Sequence, residues 1–413
     1  MRSTKPSDQS ETRQRRLAVM LYRAGTTVTS IVKKLKRSRS WVYKWITYRI
    51  QHPWTRFRSG SRAPHHHPNR TPQVVERRIL HLRQQLMRHA APGVRFAGVG
   101  ARSIQREYRK RYGPPPGVST IQRILRRHHR IKTSDKRKRY RPHPPAEYPN
   151  AVHATDIITR WITGGIVVQA FHTVDVYSND VASTIHAHKS AADACQHLLE
   201  TWKTLGIPDL AQFDNESAFS GGRYARKISQ VVRLCLYFGI PILFTPIDEA
   251  SYNWPVEVFN GLWAQQFWNR HHFSRRCDVA RVQHSFLDWY RANYIAPRQP
   301  DTPAHLRRGH RIHRLPIRWA EQVPDPLPLC VGHIHAVRRV DEAGYVRFLN
   351  EPMRIGKRYA GRYVWLTLDT GRQQLSVWYQ LGAESDWCQL KVLDYPLEEI
   401  VLPVPKKFAR LHT

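Results

Sequence analysis

The chain has 413 residues with 67 Lys and Arg against 31 Asp and Glu, a formal net charge of +36, so a polyanionic partner is expected. A hydrophobic fraction of 41% excludes wholesale disorder, and the length points to about two to four domains. No apolar run reaches the roughly 20 residues of a membrane helix, the N-terminal segment holds no signal-peptide core, and five scattered cysteines form neither a disulfide framework nor a CxxC zinc site. A cytoplasmic protein without a membrane partner is therefore expected.

The basic excess sits at the front. Residues 1–150 hold 37 Lys and Arg and 6 Asp and Glu, a net of +31, whereas residues 151–413 hold 30 and 25, a net of +5. Residues 11–51 read as three short helices. Val28, Ile31, Val32 and Leu35 repeat at helical spacing, as do Trp41, Val42, Trp45 and Ile46, and only Lys36-Arg37-Ser38 separates the two sets. That is a helix-turn-helix pattern whose third helix would enter a DNA major groove, with Arg39, Ser40, Tyr43 and Lys44 facing outward. Residues 52–70 form a linker, and its triplet His65-His66-His67 lacks the partners that would complete a metal site.

Residues 71–131 repeat the helical theme. Val75, Ile79, Leu82 and Leu86 line a first helix, Ala101 to Tyr112 forms a second, and Ser119 is expected to cap a third. The third helix has Ile121, Ile124 and Leu125 inside, with Gln122, Arg123, Arg126 and Arg127 outside as DNA-contact candidates. Residues 132–150 form a basic linker, in which Lys136, Arg137, Lys138 and Arg139 would touch phosphates without reading sequence.

From residue 151 the periodicity changes. Strands are expected at Ala151–Ile158, Gly165–Val176, Val181–Ala187, Leu210–Phe213 and Pro241–Phe244. Helices are expected at Ser190–Leu205, Arg223–Phe238, Asn253–Arg270 and Asp278–Tyr294. This is a mixed five-stranded α/β core over 151–295. A proline-rich connector leads to five short strands within 325–400, at Gly332–Val340, Tyr345–Leu349, Tyr363–Leu368, Leu375–Tyr379 and Trp387–Val392. These suggest a small separate SH3-like β-barrel.

Three acids stand out. Asp156 lies in the first core strand, Asp214 just past the fourth, and Glu257 at the start of a helix, with 57 and 42 residues intervening. If those two strands are neighbours, both aspartates emerge at one sheet edge, and a helix beside them brings in the glutamate. Three converging carboxylates repel unless cations sit between them. Oxygen ligands suit Mg²⁺ or Mn²⁺. Two such ions about 3.5–4 Å apart stabilise both oxygens of a phosphodiester displacement.

The blocks His153-Ala-Thr-Asp156, Gln212-Phe-Asp-Asn-Glu-Ser-Ala-Phe219 and Asn253-xxx-Glu257-xx-Asn260-Gly261 resemble the catalytic blocks of DDE-type bacterial insertion-sequence transposases, which share the ribonuclease H-like core of retroviral integrases. The resemblance implies that Asp156, Asp214 and Glu257 are catalytic and ligate Mg²⁺ or Mn²⁺, two ions in all. It further implies a homo-oligomer working on transposon ends and target DNA, in a bacterial, nucleoid-associated setting. One departure concerns spacing, since the second and third acids of the family stand near 35 residues apart. Glu249, with 34 residues intervening after Asp214, lies closer to that figure but falls in a loop rather than in the helical block. Asp175 and Asp180 read as turn caps, His153 as a packing or hydrogen-bonding residue, Arg223, Arg226, Lys227 and Arg270 as backbone-contact candidates or a solvated helix face, and Trp254 as either a base-stacking or a core residue. The rival readings are a catalytically inactive, domesticated DNA-binding regulator and a ribonuclease H-type nuclease.

Overall fold

In a computed structural model the described residues are 6–52, 57, 71–88, 98–131, 141–222, 224–297 and 299–409. Lys136, Arg137, Lys138, Arg139, the triplet at 65–67 and Arg223 lie outside them. The chain forms two compact units, Met1–Pro72 and Gln73–Thr413.

The first unit contains α1 (Pro6–Arg23), α2 (Val28–Leu35) and α3 (Arg39–Gln51). Ala18, Ile31, Val42 and Ile46 form its core. Lys36 ends α2 in the left-handed conformation at φ 51°, and Ser38 caps α3 by accepting from Trp41 N at 3.3 Å. A cap of this kind contributes about 1 kcal/mol, and here it fixes the angle at which α3 leaves the turn. The buried Arg15 pairs with Glu11 and lies 4.3 Å from the Trp45 ring centroid, which locks α1 to α3.

The second unit opens with α4 (Gln73–Arg88), α5 (Ala101–Tyr112) and α6 (Val118–Arg127), packed around Ile79, Leu82, Leu86, Ile104, Tyr108, Ile121, Ile124 and Leu125. The expected Ser119 cap is corrected. Gly117 is the N-cap and makes no side-chain cap bond, because the Gly-Pro-Pro-Pro-Gly turn ends with Gly117 extended and lets the helix start two residues earlier.

The remaining elements run in chain order. They are β1 (His153–Ile162), β2 (Ile166–Asp175), β3 (Val181–His186), α7 (Ala191–Thr204), β4 (Ala211–Phe213), α8 (Ser217–Ser220), α9 (Gln230–Tyr237) and β5 (Ile242–Phe244). Next come α10 (Trp254–Gln266), α11 (Arg276–Asn293), α12 (Pro303–Leu306), α13 (Ile317–Ala320), β6 (Leu329–Cys330), β7 (His333–Arg339), β8 (Tyr345–Phe348) and β9 (Glu351–Arg354). The chain closes with β10 (Tyr363–Asp369), β11 (Gln374–Tyr379), β12 (Cys388–Asp394), β13 (Val401–Leu402) and α14 (Lys406–Ala409).

The helix expected from Arg223 is shorter. Arg226 sits at φ 55°, which breaks helical geometry, and Ser229 caps α9 by accepting from Val232 N at 3.1 Å.

The five expected core strands lie contiguously in the order β3-β2-β1-β4-β5. β1 and β2 are antiparallel, whereas β1 with β4 and β4 with β5 are parallel. Side chains alternate across the sheet, as a period of two requires. Ala154, Ala170 and Val174 face α10 and α11, meeting Val256, Phe259, Trp263, Phe286 and Tyr290. Phe171, Phe213 and Phe244 face the opposite way and meet Leu198, Trp202, Leu234 and Phe238 from α7, α9 and its flank.

The separate C-terminal barrel is corrected. β7 pairs parallel with β5, with Ile242 opposite Ile334 and Phe244 opposite Ala336, and β10, β11 and β12 continue outward to make a nine-stranded sheet. The open edge of β5 offers unpaired backbone groups, and the proline-rich connector is long enough to return a strand to it. Among the described residues no strand pairing closes these four strands on themselves. β8 with β9, and β13 with β6, form small two-stranded sheets.

Candidate active site

Parallel registry places the two aspartates together. Thr155 of β1 pairs with Phe213 of β4, so Asp156 and Asp214 each stand one residue beyond a paired position on neighbouring strands. Strands so paired run about 4.8 Å apart.

The block Asn253-xxx-Glu257-xx-Asn260 spaces its polar residues four and three apart, which stacks them on one helix face. Asn253 bridges both strands, donating to Thr155 O at 3.1 Å and accepting from Gln212 Nε2 at 2.9 Å. Asn260, two turns on, donates from Nδ2 to Asp156 Oδ2 at 2.7 Å. Between these two tethers, Glu257 occupies the first turn of α10 and is exposed.

Electrostatics ties the three acids into one neighbourhood. Burial, then the charge of Asp214, and more weakly that of Glu257, push the Asp156 carboxyl up to about 7. Burial and then the Asp214 charge push Glu257 up. Burial raises Asp214 as well, with Glu216 adding to the rise and Lys189 opposing it. Asp156 Oδ1 accepts from Ile157 N at 2.8 Å and Asp214 Oδ1 from Glu216 N at 3.0 Å. Each carboxylate offers about four lone-pair positions, so both keep acceptor capacity for a cation. Among the described residues no group of three His, Cys, Asp or Glu stands in ligating geometry as the side chains are placed. The donor set still suits a hard divalent ion: all oxygen, anionic, partly buried and mutually repelling.

Glu249 is committed elsewhere. It accepts from Tyr363 Oη at 2.6 Å and pairs with Arg141 at 3.0 Å. Glu216 caps α8 and pairs with Lys189 at 3.2 Å. Asp175 does close the turn after β2 through Ser178, and it also carries a buried pair with Arg307 at 3.1 Å that sequence reading did not find. His153 is buried against Asn150 at 3.0 Å. Trp254 is 49% exposed, which removes it from the core. Arg226 binds Glu351 at 2.9 Å and lies over Tyr395 at 4.8 Å, so it is spent on holding the fold. Lys227 sits 5.1 Å from the Tyr224 ring, and Arg270 donates to Gln265 O at 3.0 Å.

Two contributors went unseen in the sequence. Arg338 of β7, 7% exposed, donates to Thr245 O at 2.6 Å and to Asn215 Oδ1 at 2.9 Å. It therefore braces the corner that carries Asp214 from the strand that extends the sheet. His172 is fully buried and joins Asn260 at 2.6 Å.

On the helical units, Arg39, Ser40, Tyr43 and Lys44 are all exposed along α3, and Gln122, Arg123, Arg126 and Arg127 along α6. Arg127 also pairs with Glu76 at 2.5 Å.

Residues 10–48 match a homeodomain-like domain. The chain is similar to the HTLV-2 integrase catalytic core domain solved with magnesium, at 15% identity over 40% of this chain and 99% of that one, with a TM-score of 0.31. It is similar to a simian T-cell lymphotropic virus intasome structure at 13% identity, covering 77% of this chain and 100% of the other, with a TM-score of 0.37. The catalytic core domain of BIV integrase matches at 13% identity over 38% of this chain and 93% of that one, with a TM-score of 0.29.

Proposed function

We propose that this chain is a DNA transposase of the DDE type, cutting phosphodiester bonds at the ends of a mobile element and joining the freed 3′-OH ends to target DNA. What supports the reading is that Asp156 and Asp214 stand at adjoining positions of neighbouring parallel strands, with Glu257 in the first turn of the helix that Asn253 and Asn260 tether to them. Burial raises all three, and the charge of Asp214 adds to the rise of Asp156 and of Glu257.

These three residues would hold two Mg²⁺ or Mn²⁺ ions, which supply a lowered water pKa and charge neutralisation at the phosphate. The chain's own part is positioning. Asn253 and Asn260 pin α10 to the sheet, Arg338 braces the Asp214 corner, and the ionised carboxylates repel one another until cations neutralise them. The exposed residues of α3, together with those of α6, would seat the terminal sequences, and Lys136, Arg137, Lys138 and Arg139 would add sequence-blind phosphate contacts. Work on two DNA ends calls for more than one copy of the chain.

The purified protein should nick the DNA that flanks its own gene when Mg²⁺ or Mn²⁺ is supplied, and then join that end to a second duplex. Asp156→Ala, Asp214→Ala and Glu257→Ala should each abolish both steps while leaving DNA binding intact. Binding without nicking by the parent chain would favour a DNA-binding regulator, and nicking that survives all three substitutions would remove these acids from the chemistry.

A further inference from the structure

His172 lies in the middle of β2, directly opposite Asp156 in the β1–β2 register. It is fully buried, wedged edge-on against Phe259 with ring centroids 4.9 Å apart and beside Trp263 at 5.2 Å. Burial holds its pKa down at about 4, so the ring is neutral at ordinary pH. A neutral imidazole carries one N–H, and the structure determines where it must be. Nδ1 faces Asn260 Oδ1 at 2.6 Å, an oxygen that can only accept. Among the described residues Nε2 has no hydrogen-bond partner, so a proton placed there would be wasted in the core. The Nδ1–H tautomer therefore fixes the Asn260 amide with its oxygen toward His172 and its nitrogen toward Asp156 Oδ2 at 2.7 Å.

We propose that His172 is a positioning residue for the metal site: through the Asn260 amide it sets the rotamer in which Asp156 presents its remaining lone pairs to a divalent ion. This deepens the proposed function and rests on it. The chain of contacts has a single sense. His172 donates to Asn260, and Asn260 donates to Asp156. Without His172 the amide can turn over and offer Asp156 a repelling oxygen. Partners of this sort behind a ligand are worth about 10–100-fold in metal affinity or activity.

The test is calorimetric titration of the full chain with Mn²⁺ alone, paired with a DNA mobility shift to show that the fold and the helical units are intact. Asn260→Ala, at a position 7% exposed, should weaken Mn²⁺ binding by about tenfold or more. His172→Leu removes the donor and should also weaken it. His172→Asn keeps an N–H near the Nδ1 position and should restore affinity to within about threefold. DNA affinity should stay at the parent value in all three.

Parent-like Mn²⁺ binding by Asn260→Ala, or an Asn at 172 no better than Leu, would overturn the relay. Asp156→Asn is the control for the underlying reading. If it too binds Mn²⁺ like the parent, the metal site itself is misplaced. If it loses Mn²⁺ while the Asn260 and His172 variants do not, the relay alone is wrong.

Discussion

Replacing Asp156 with Asn should stabilise the metal-free protein, and only above a definable pH. The Asp156 carboxyl rises from 3.8 to about 7 in the folded chain. Between those values the folded state holds a proton that the unfolded chain has released. Folding is then favoured at low pH, and stability falls as pH climbs from about 4 to about 7, by roughly 1.4 kcal/mol per pH unit. From pH 5 to pH 7, with the slope tapering as pH nears the folded value, the parent should lose about 2 kcal/mol that the Asn variant does not lose. Asn has one acceptor oxygen where the carboxylate has two, so either Ile157 N or Asn260 Nδ2 loses its partner. That costs about 1 kcal/mol at any pH and leaves the slope untouched. Urea unfolding with chelator present, followed by tryptophan emission at pH 5, 6, 7 and 8, reads the difference directly. Saturating Mn²⁺ should reverse it at pH 8, because a cation stabilises only the ionised parent. A difference between the two proteins that is flat from pH 5 to pH 8 would refute the claim that Asp156 is held against ionisation by burial and its neighbours.

Other outcomes follow from the same geometry. Glu249→Gln should leave strand cleavage near the parent level in a nicking assay, since Glu249 serves Tyr363 and Arg141, whereas Glu257→Gln should remove it. Arg338→Lys cannot reach the Thr245 carbonyl and Asn215 together as a planar fork does, and should slow cleavage about tenfold with DNA affinity unchanged in a mobility shift. Arg39→Ala and Lys44→Ala should each weaken binding to flanking DNA, and any that loses a phosphate contact should lower the slope of log K against log salt by about 1 in a filter-binding series.

Much of the core was legible because its cues are local. Asp156 interrupts the apolar run of β1, that of β4 ends just before Asp214, and the four-and-three spacing of Asn253, Glu257 and Asn260 marks one helix face. The turn Lys36-Arg37-Ser38 sits between two helical periodicities, where Ser38 supplies the cap. What escaped was tertiary. Alternation in β7 and β10 reveals which side chains are buried but not which strand edge will be paired, so a separate barrel was the natural reading of strands that instead extend the sheet. Arg338 looked like any basic residue in a basic chain, and only the β5–β7 pairing puts it under Asn215. His172 in an apolar strand is indistinguishable from a core histidine until its Asn260 contact is seen. The part Arg226 plays in holding the fold is not legible because Glu351 and Tyr395, its partners, lie more than a hundred positions away in the chain.

The central claim is that Asp156, Asp214 and Glu257 together grip divalent ions. Anomalous diffraction from crystals of the protein–DNA complex grown with Mn²⁺ tests it most directly. Strong manganese peaks within bonding distance of all three carboxylates are predicted, with Asn260 still on Asp156. Manganese bound elsewhere, or a Glu257 side chain left in solvent while the scissile phosphate sits in place, would contradict it.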